Sequence, residues 1–342
     1  MRYIFFFTFY LLSLSVCGQD LSDAEEELNR SLLHLRSATS DEEIRSRNNE
    51  FRDEIFEFFK LEGALDYQFK YCKSIASLMS PDKLVRILTW NLEFSDFTYS
   101  YDGLVILTDK KRKKKHIHRL LDQSSPYDGI PEGVIDQNNW YGALYYKILP
   151  FSRKGKTEYV LLGWDGASSS SNFKFIDVMN VNRSGVKFGS PVFQENKTVF
   201  NRVIFEYAEL AKMSLRYDEK YKRLIFDHLS PESPSLAGVK SYYVPDMSYD
   251  AFIEKNGMWY LKSDVIAIND GDLKSEKKTW QNPSDENTNN IHVARTPEID
   301  IEVEEQKDEF PEIKKRRMKR KNNPEYLQMT TGKYKSKRRR NK

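Results

Sequence analysis

Cysteine is scarce in this chain, which has two cysteines, Cys17 and Cys72, in 342 residues. Cleavage of the N-terminal segment described below would leave Cys72 alone, and one thiol excludes an internal disulfide. The fold must therefore be stabilised by packing. We predict that Cys72 is a small buried apolar residue rather than a nucleophile.

Long apolar runs are also lacking beyond the N-terminus, where no segment approaches the roughly 18 consecutive apolar residues of a membrane-spanning helix. Residues 4–16 form an apolar run of 13 residues, preceded by one arginine and followed by small residues before Gln19. This pattern is typical of a secretory signal peptide, so we expect residues 1–18 to be removed and the protein to be exported to the periplasm or outside the cell. Acylation of Cys17, which would anchor the protein to lipid, is the alternative, and an uncleaved anchor is a third.

The apolar pattern of the remaining chain changes near residue 82. Residues 19–82 repeat apolar positions at helical spacing, which predicts three helices. The first begins with the capping-box pattern Ser22-x-x-Glu25, and the third covers residues 65–79 before Pro81. We interpret this stripe of apolar residues as the surface through which the helices pack.

Residues 83–272 alternate apolar and polar positions and are rich in β-branched and aromatic residues, which predicts an antiparallel β-domain. Short turns such as Lys255-Asn256-Gly257 favour pairing of consecutive strands. We predict a mainly β fold, α+β overall, with a meander closed as a barrel or sandwich, because an open sheet of so many strands would leave long edges. The predicted strands are residues 85–94, 103–108, 116–122, 141–150, 158–164, 174–181, 199–206, 211–217, 223–228, 251–254 and 258–264.

Residues 273–342 have few periodic apolar positions and segregated charge. Residues 297–313 contain eight Asp or Glu and one Lys, whereas residues 314–342 contain fourteen Lys or Arg and one Glu. Such blocks do not form a core, so we predict a disordered tail with an acidic part and a basic part.

Trp164 and Asp165 end a predicted strand before a serine-rich loop. An aromatic wall beside a polar loop residue is common in ligand sites, so this pair is a candidate for the rim of a binding site. The simpler interpretation is a turn between two strands.

Asp227 and His228 form the other candidate site, because together with Asp165 they offer acid–base groups at strand ends. Adjacent residues of a strand point to opposite faces, so Asp227 is poorly placed to orient His228. A hydrolase using these three residues is therefore the alternative function, not the preferred one.

Two further motifs have structural interpretations. His116 and His118 share one face of a strand, but the basic run 110–115 repels cations and a third ligand is lacking, so we predict an exposed basic hairpin rather than a metal site. Trp90-Asn91 resembles the first strand of endonuclease/exonuclease/phosphatase-type phosphodiesterases. The carboxylate motifs of that family are missing, which favours a strand with a packed tryptophan.

Several segments resemble a group of uncharacterised exported proteins of Bacteroidota. The resemblance covers about residues 85–265, and what it implies is a compartment and domain limits; it supplies no catalytic residues. The segments that carry it are Asn138-Asn139-Trp140-Tyr141-Gly142-Ala143-Leu144-Tyr145-Tyr146-Lys147, Leu161-Leu162-Gly163-Trp164-Asp165-Gly166, Val203-Ile204-Phe205-Glu206-Tyr207, Phe226-Asp227-His228-Leu229 and Tyr249-Asp250.

The basic runs suggest a function. In a cell envelope the polyanions are anionic lipid, glycan and extracellular DNA, and specific recognition of nucleic acid is not indicated. We therefore expect a non-catalytic envelope binding or scaffold protein that engages polyanions and needs no cofactor and no metal. The candidate binding residues are Trp164, Asp165, Lys113, Lys114, Lys115, Lys314, Lys315, Arg316 and Arg317.

Overall fold

The computed structural model of the chain describes residues 20–109, 114–124, 130–166 and 171–266. Two helices come first: α1 covers Leu21–Arg36 and α2 covers Asp41–Phe58. Their buried residues follow the predicted apolar stripe. The predicted signal peptide and the charged tail lie outside the described residues.

The N-terminus of α1 differs from the prediction. Asp20, not Ser22, is the N-cap residue, and its carboxylate accepts the N–H of Ser22 at 3.1 Å. Glu25 is fully buried and points to a distant loop instead of closing a capping box. The N-cap of α2 is Ser40, whose hydroxyl accepts the N–H of Glu43 at 3.2 Å.

The predicted third helix is wrong. Residues 59–75 form turns and irregular backbone, and residues 76–79 are a β-strand. Two buried ionic side chains hold this segment and compete with helical hydrogen bonding. Glu25 accepts backbone N–H groups of residues 70–72, and Arg86 donates to the carbonyls of Leu65 and Tyr67 at 2.7 and 2.6 Å.

Sixteen strands follow the helices within the described residues. In chain order they are β1 Ala76–Met79, β2 Val85–Glu93, β3 Tyr99–Asp109, β4 Lys114–Leu121, β5 Ile135–Asp136, β6 Leu144–Arg153, β7 Lys156–Asp165, β8 Ser171–Asn182, β9 Gly185–Phe188, β10 Phe193–Glu195, β11 Thr198–Phe200, β12 Val203–Ala208, β13 Leu215–Asp218, β14 Arg223–Pro231, β15 Tyr243–Lys255 and β16 Met258–Lys262.

The strands form three sheets. The first has the order β1-β2-β3-β4, and the middle sheet has the order β5-β9-β8-β7-β6 with β12 paired to β8. The third has the order β11-β10-β16-β15-β14-β13. Consecutive antiparallel pairing dominates, as predicted, but β10 pairs with β16 in parallel.

The sheets stack face to face, as alternate burial along single strands shows. On β2, Ile87 belongs to the core shared with the middle sheet, whereas Leu88 belongs to the core under the helices. On β7, Leu161 faces the first sheet and Leu162 shares a core with Phe252 of the third sheet. The described residues therefore form a four-layer stack of helices and three sheets, an extended form of the predicted sandwich.

One predicted strand, residues 199–206, divides between two sheets. β11 belongs to the third sheet and β12 to the middle sheet, with Arg202 between them. Arg202 is buried and its guanidinium pairs with Asp177 of β8 at 3.1 Å. The buried ion pair fixes the backbone where the chain passes from the third sheet to the middle sheet.

Candidate functional site

Asp165 lies at the end of β7, between the first and middle sheets, and is 3% exposed. Its two carboxylate oxygens accept the hydroxyls of Tyr101 and Tyr141 at 2.8 and 2.6 Å. The N–H of Gly166 donates to the Tyr101 hydroxyl at 3.0 Å. Asp165 is thus a buried link between layers rather than an exposed residue of a rim.

Both tyrosines of this link are held in their protonated form. Burial, followed by the charge of Asp165, raises the pKa of Tyr101 and the pKa of Tyr141 well above the usual value. Each hydroxyl therefore remains a donor to Asp165 over the whole physiological pH range.

Trp164 is partly exposed beside this link. Its ring meets the Tyr99 ring edge-on with centroids 6.3 Å apart. A Cβ on Gly166 would lie 2.9 Å from Trp164 and 3.0 Å from Tyr99, so only glycine lets the backbone pass this close to both rings. Trp164 is the member of the predicted pair that reaches the surface.

The candidate lysines have different environments. Lys114 is exposed at the start of β4, whereas the ammonium of Lys115 donates to the carbonyls of Phe59 and Leu61 at 2.6 Å each. Lys115 therefore caps the C-terminal end of α2, and burial lowers its pKa. The remaining candidates, Lys113, Lys314, Lys315, Arg316 and Arg317, lie outside the described residues.

Asp227 has backbone partners across the strand edge. Its carboxylate accepts the N–H of Ser214 at 2.7 Å, and its own N–H donates to the Ser214 carbonyl at 3.0 Å. Burial raises the pKa of Asp227, while the Ser214 bond and the charge of Lys174 oppose this shift. Asp227 connects the start of β13 to β14 and, as expected, does not orient His228.

His228 is oriented instead by Asp250 from the neighbouring strand β15. Nδ1 of His228 lies 2.9 Å from Oδ2 of Asp250, which is 1% exposed and also accepts the N–H of Asp264 at 3.0 Å. Nε2 of His228 lies 3.9 Å from Oδ2 of Asp246. A buried carboxylate on one ring nitrogen is an arrangement that prepares an imidazole for proton transfer at the other.

A β-bulge creates this arrangement. The register of β14 and β15 shifts between Asp227 and Leu229, so that residues 246–248 leave the ladder opposite His228. Met247 there has a φ of 67° and is 94% exposed. Bulges often redirect side chains near functional sites, and a positive φ at a non-glycine residue is strained.

The three residues of the predicted hydrolase do not converge. Asp165 faces the first sheet, and His228 belongs to the third sheet, with the middle sheet between the two layers. Stacked sheets lie about 10 Å apart, which exceeds the reach of a proton transfer. Sequence reasoning missed Asp246 and Asp250, because the predicted strand began at residue 251, immediately after Asp250.

The remaining candidates are structural. His118 is buried, contrary to the predicted exposed hairpin. Its Nε2 atom lies 2.9 Å from the carbonyl oxygen of Asn182. Trp90 is fully buried, as predicted, and donates from Nε1 to Asn48 at 2.7 Å. Among the described residues, no group of three or more His, Cys, Asp or Glu has a geometry that could hold a metal ion.

The described helices are all too short or too polar to cross a membrane.

Comparisons of the chain with known protein families, with curated proteins and with solved structures find no match.

Proposed function

We propose that the protein is an exported binding or scaffold protein that engages polyanions through its β3–β4 hairpin and its basic tail. The observation that carries the proposal is the segregation of charge. Residues 314–342 contain fourteen Lys or Arg against one Glu. Cations at this density bind polyanions by releasing condensed counterions, without a specific pocket.

Contacts in the described residues refine which hairpin cations would take part. The ammonium of Lys115 is already hydrogen-bonded to a backbone carbonyl at the C-terminal end of α2, whereas Lys114 is exposed. On the other strand of the hairpin, Asp109 pairs with Arg183 at 2.9 Å, which reduces the negative charge beside the basic run. We therefore assign binding to residues 110–114 and exclude Lys115.

Export belongs to the same proposal. The apolar run before Gln19 supports removal of residues 1–18 and, with it, an envelope location. Acylation at Cys17 remains the alternative. Mass spectrometry of the mature N-terminus distinguishes a free Gln19 from an acylated Cys17.

Heparin affinity of the full chain as a function of salt tests the polyanion proposal. Replacing residues 110–114 by glutamine and deleting residues 314–342 should each weaken binding and reduce the slope of log K against log salt, because fewer counterions are released. The matched control replaces Lys154 and Lys156, which are exposed on the β6–β7 turn. Unchanged affinity after both changes would refute the proposal.

A hydrolytic activity is the second candidate function, and the 2.9 Å contact between His228 and Asp250 favours it. The acid–base group would be His228 with Asp250, without Asp165 or Asp227. His228→Asn should then abolish hydrolysis in a panel of p-nitrophenyl esters and glycosides, whereas His34→Asn on the exposed face of α1 should not. Equal rates in the two variants and the wild type would exclude this candidate.

A further inference from the structure

We infer that the end of the stack formed by the β2–β3 turn and the β12–β13 turn docks on the interfacial region of a lipid bilayer. The contact would be apolar and would not depend on the basic runs, so it goes beyond the proposed polyanion binding. Two protruding apolar side chains, Phe97 and Leu210, would enter the bilayer.

Phe97 occupies the tip of a tightly built turn. It is 67% exposed, and its φ of 62° is a left-handed conformation that a bulky residue rarely adopts. The turn is closed by N–H bonds from Phe94 to Thr98 and from Phe97 to Phe94, both at 3.0 Å. Asp96 adds acceptors for the N–H and hydroxyl of Thr98 at 3.0 and 2.6 Å. A rigid turn thus presents the ring to solvent.

Leu210 occupies the corresponding tip after β12 and is 91% exposed. The N–H of Ala211 donates to the carbonyl of Ala208 at 3.0 Å and closes the turn. Asn172 of β8 donates to the carbonyl of Glu209 at 3.1 Å, which fixes the turn against the middle sheet. This leucine is therefore also held outward by hydrogen bonds behind it.

The two tips lie at the same end of the stack. Tyr99, two residues after Phe97, packs its ring against Trp164 of β7. Trp164 pairs with Lys174 of β8, and Lys174 pairs on its other side with Phe205 of β12. Burial, followed by the charges of Glu93 and of Glu209, raises the pKa of Tyr99. The turns that carry Phe97 and Leu210 are therefore neighbours.

The chemistry behind the tips favours a bilayer. Tyr99 and Trp164, both partly exposed and in edge-on ring contact, lie behind the tips, and tyrosine and tryptophan are enriched at the level of lipid headgroups. A protein partner would need a continuous patch of about 800 Å² on each side, whereas lipid adapts to separate protruding side chains. Exposed charges of both signs flank the tips in the sequence, with Glu93 and Asp96 near Phe97 and with Glu209 and Lys212 near Leu210. Arg45 lies over the ring of Phe94 in the β2–β3 turn, with 4.2 Å to the ring centroid. This mixed charge suits a zwitterionic lipid surface.

Flotation of the full chain with phosphatidylcholine vesicles in 0.5 M NaCl tests the inference, because this salt concentration suppresses binding through the basic runs. The wild type should float with the vesicles, and the double variant Phe97→Ser/Leu210→Ser should lose at least roughly tenfold in partitioning. Met247→Ser is the matched control, since Met247 is 94% exposed on a different turn. Tryptophan placed by Phe97→Trp should show quenching by brominated lipid.

The outcomes separate this inference from the proposed function. Absence of wild-type flotation, or equal flotation of the double variant and the wild type, would overturn the bilayer contact. Loss of flotation with retained heparin affinity in the double variant would support it. Loss of heparin binding on deleting residues 314–342, with flotation unchanged, would support both as independent contacts.

Discussion

Oε1 of Glu25 accepts the backbone N–H of Cys72 at 3.2 Å, although the two residues are 47 positions apart. The same oxygen accepts the N–H groups of Lys70 and Tyr71 at 2.7 Å each, and the other oxygen accepts the hydroxyl of Tyr67 at 2.8 Å. One helical carboxylate therefore organises a whole loop. The burial that accompanies this raises the pKa of the Cys72 thiol to about 12, so Cys72 is not a nucleophile at neutral pH.

Glu25→Ala should destabilise the protein strongly, because three backbone N–H groups and a hydroxyl lose their acceptor. We expect a loss of about 3–5 kcal/mol in the free energy of unfolding, measured by chemical denaturation. Glu26→Ala, at an exposed position of the same helix, is the control and should change little. Equal effects of the two substitutions would contradict the assigned role of Glu25.

The pair Arg202–Asp177 should show strong coupling. Its side chains are 1% and 4% exposed, and burial raises the pKa of Asp177 while Arg202 opposes that shift. Arg202→Met leaves a buried carboxylate without its cation and should cost roughly 3–5 kcal/mol. The double variant Arg202→Met/Asp177→Leu should recover part of this loss in a double-mutant cycle, and simple additivity would count against coupling.

His118 should make stability pH-dependent. Burial, the largest cause, and the nearby His116 lower the pKa of His118, while its bond to the Asn182 carbonyl opposes this. The stability that neutral His118 contributes is complete above about pH 6.5, the pKa of an unfolded histidine, and is lost as the pH falls through the lowered pKa of the folded protein.

His118→Gln keeps a donor for the Asn182 carbonyl and cannot titrate, so it should flatten the dependence of the unfolding free energy on pH below about pH 6.5. Urea unfolding at several pH values measures this, with His34→Gln at an exposed site as the control. Parallel curves of unfolding free energy against pH for the wild type and His118→Gln would contradict the assigned role of His118.

Asp165 should behave as a stabilising residue. Asp165→Ala removes the acceptor of two buried hydroxyls and should cost about 2–4 kcal/mol, more than Tyr141→Phe, for which we expect about 1 kcal/mol. Thermal and chemical unfolding of both variants provide the comparison. A stable Asp165→Ala variant that loses binding to a ligand would restore Asp165 as a site residue.

Local patterns in the sequence were sufficient for most of the secondary structure. The hairpin at Asn256-Gly257 forms as predicted, with φ values of 56° and 75° between Lys255 and Met258. By contrast, residues 65–79 have apolar spacing like that of a helix but do not form one. Buried Glu25 and Arg86 take the hydrogen-bonding groups of that segment, and both lie far from it in sequence or in another element.

The sequence by itself determined the α+β composition, two of the helices, most strands and the packed role of Trp90, because periodicity and turn residues act over a few positions. Only the tertiary structure determines that the three sheets stack and which partners the buried charged side chains bind. Lys115 caps a helix, Asp165 links two sheets and Asp250 orients His228. These contacts join residues that are 22 to 64 positions apart in the sequence. A local sequence pattern cannot show which buried charged side chain will pair with which distant partner.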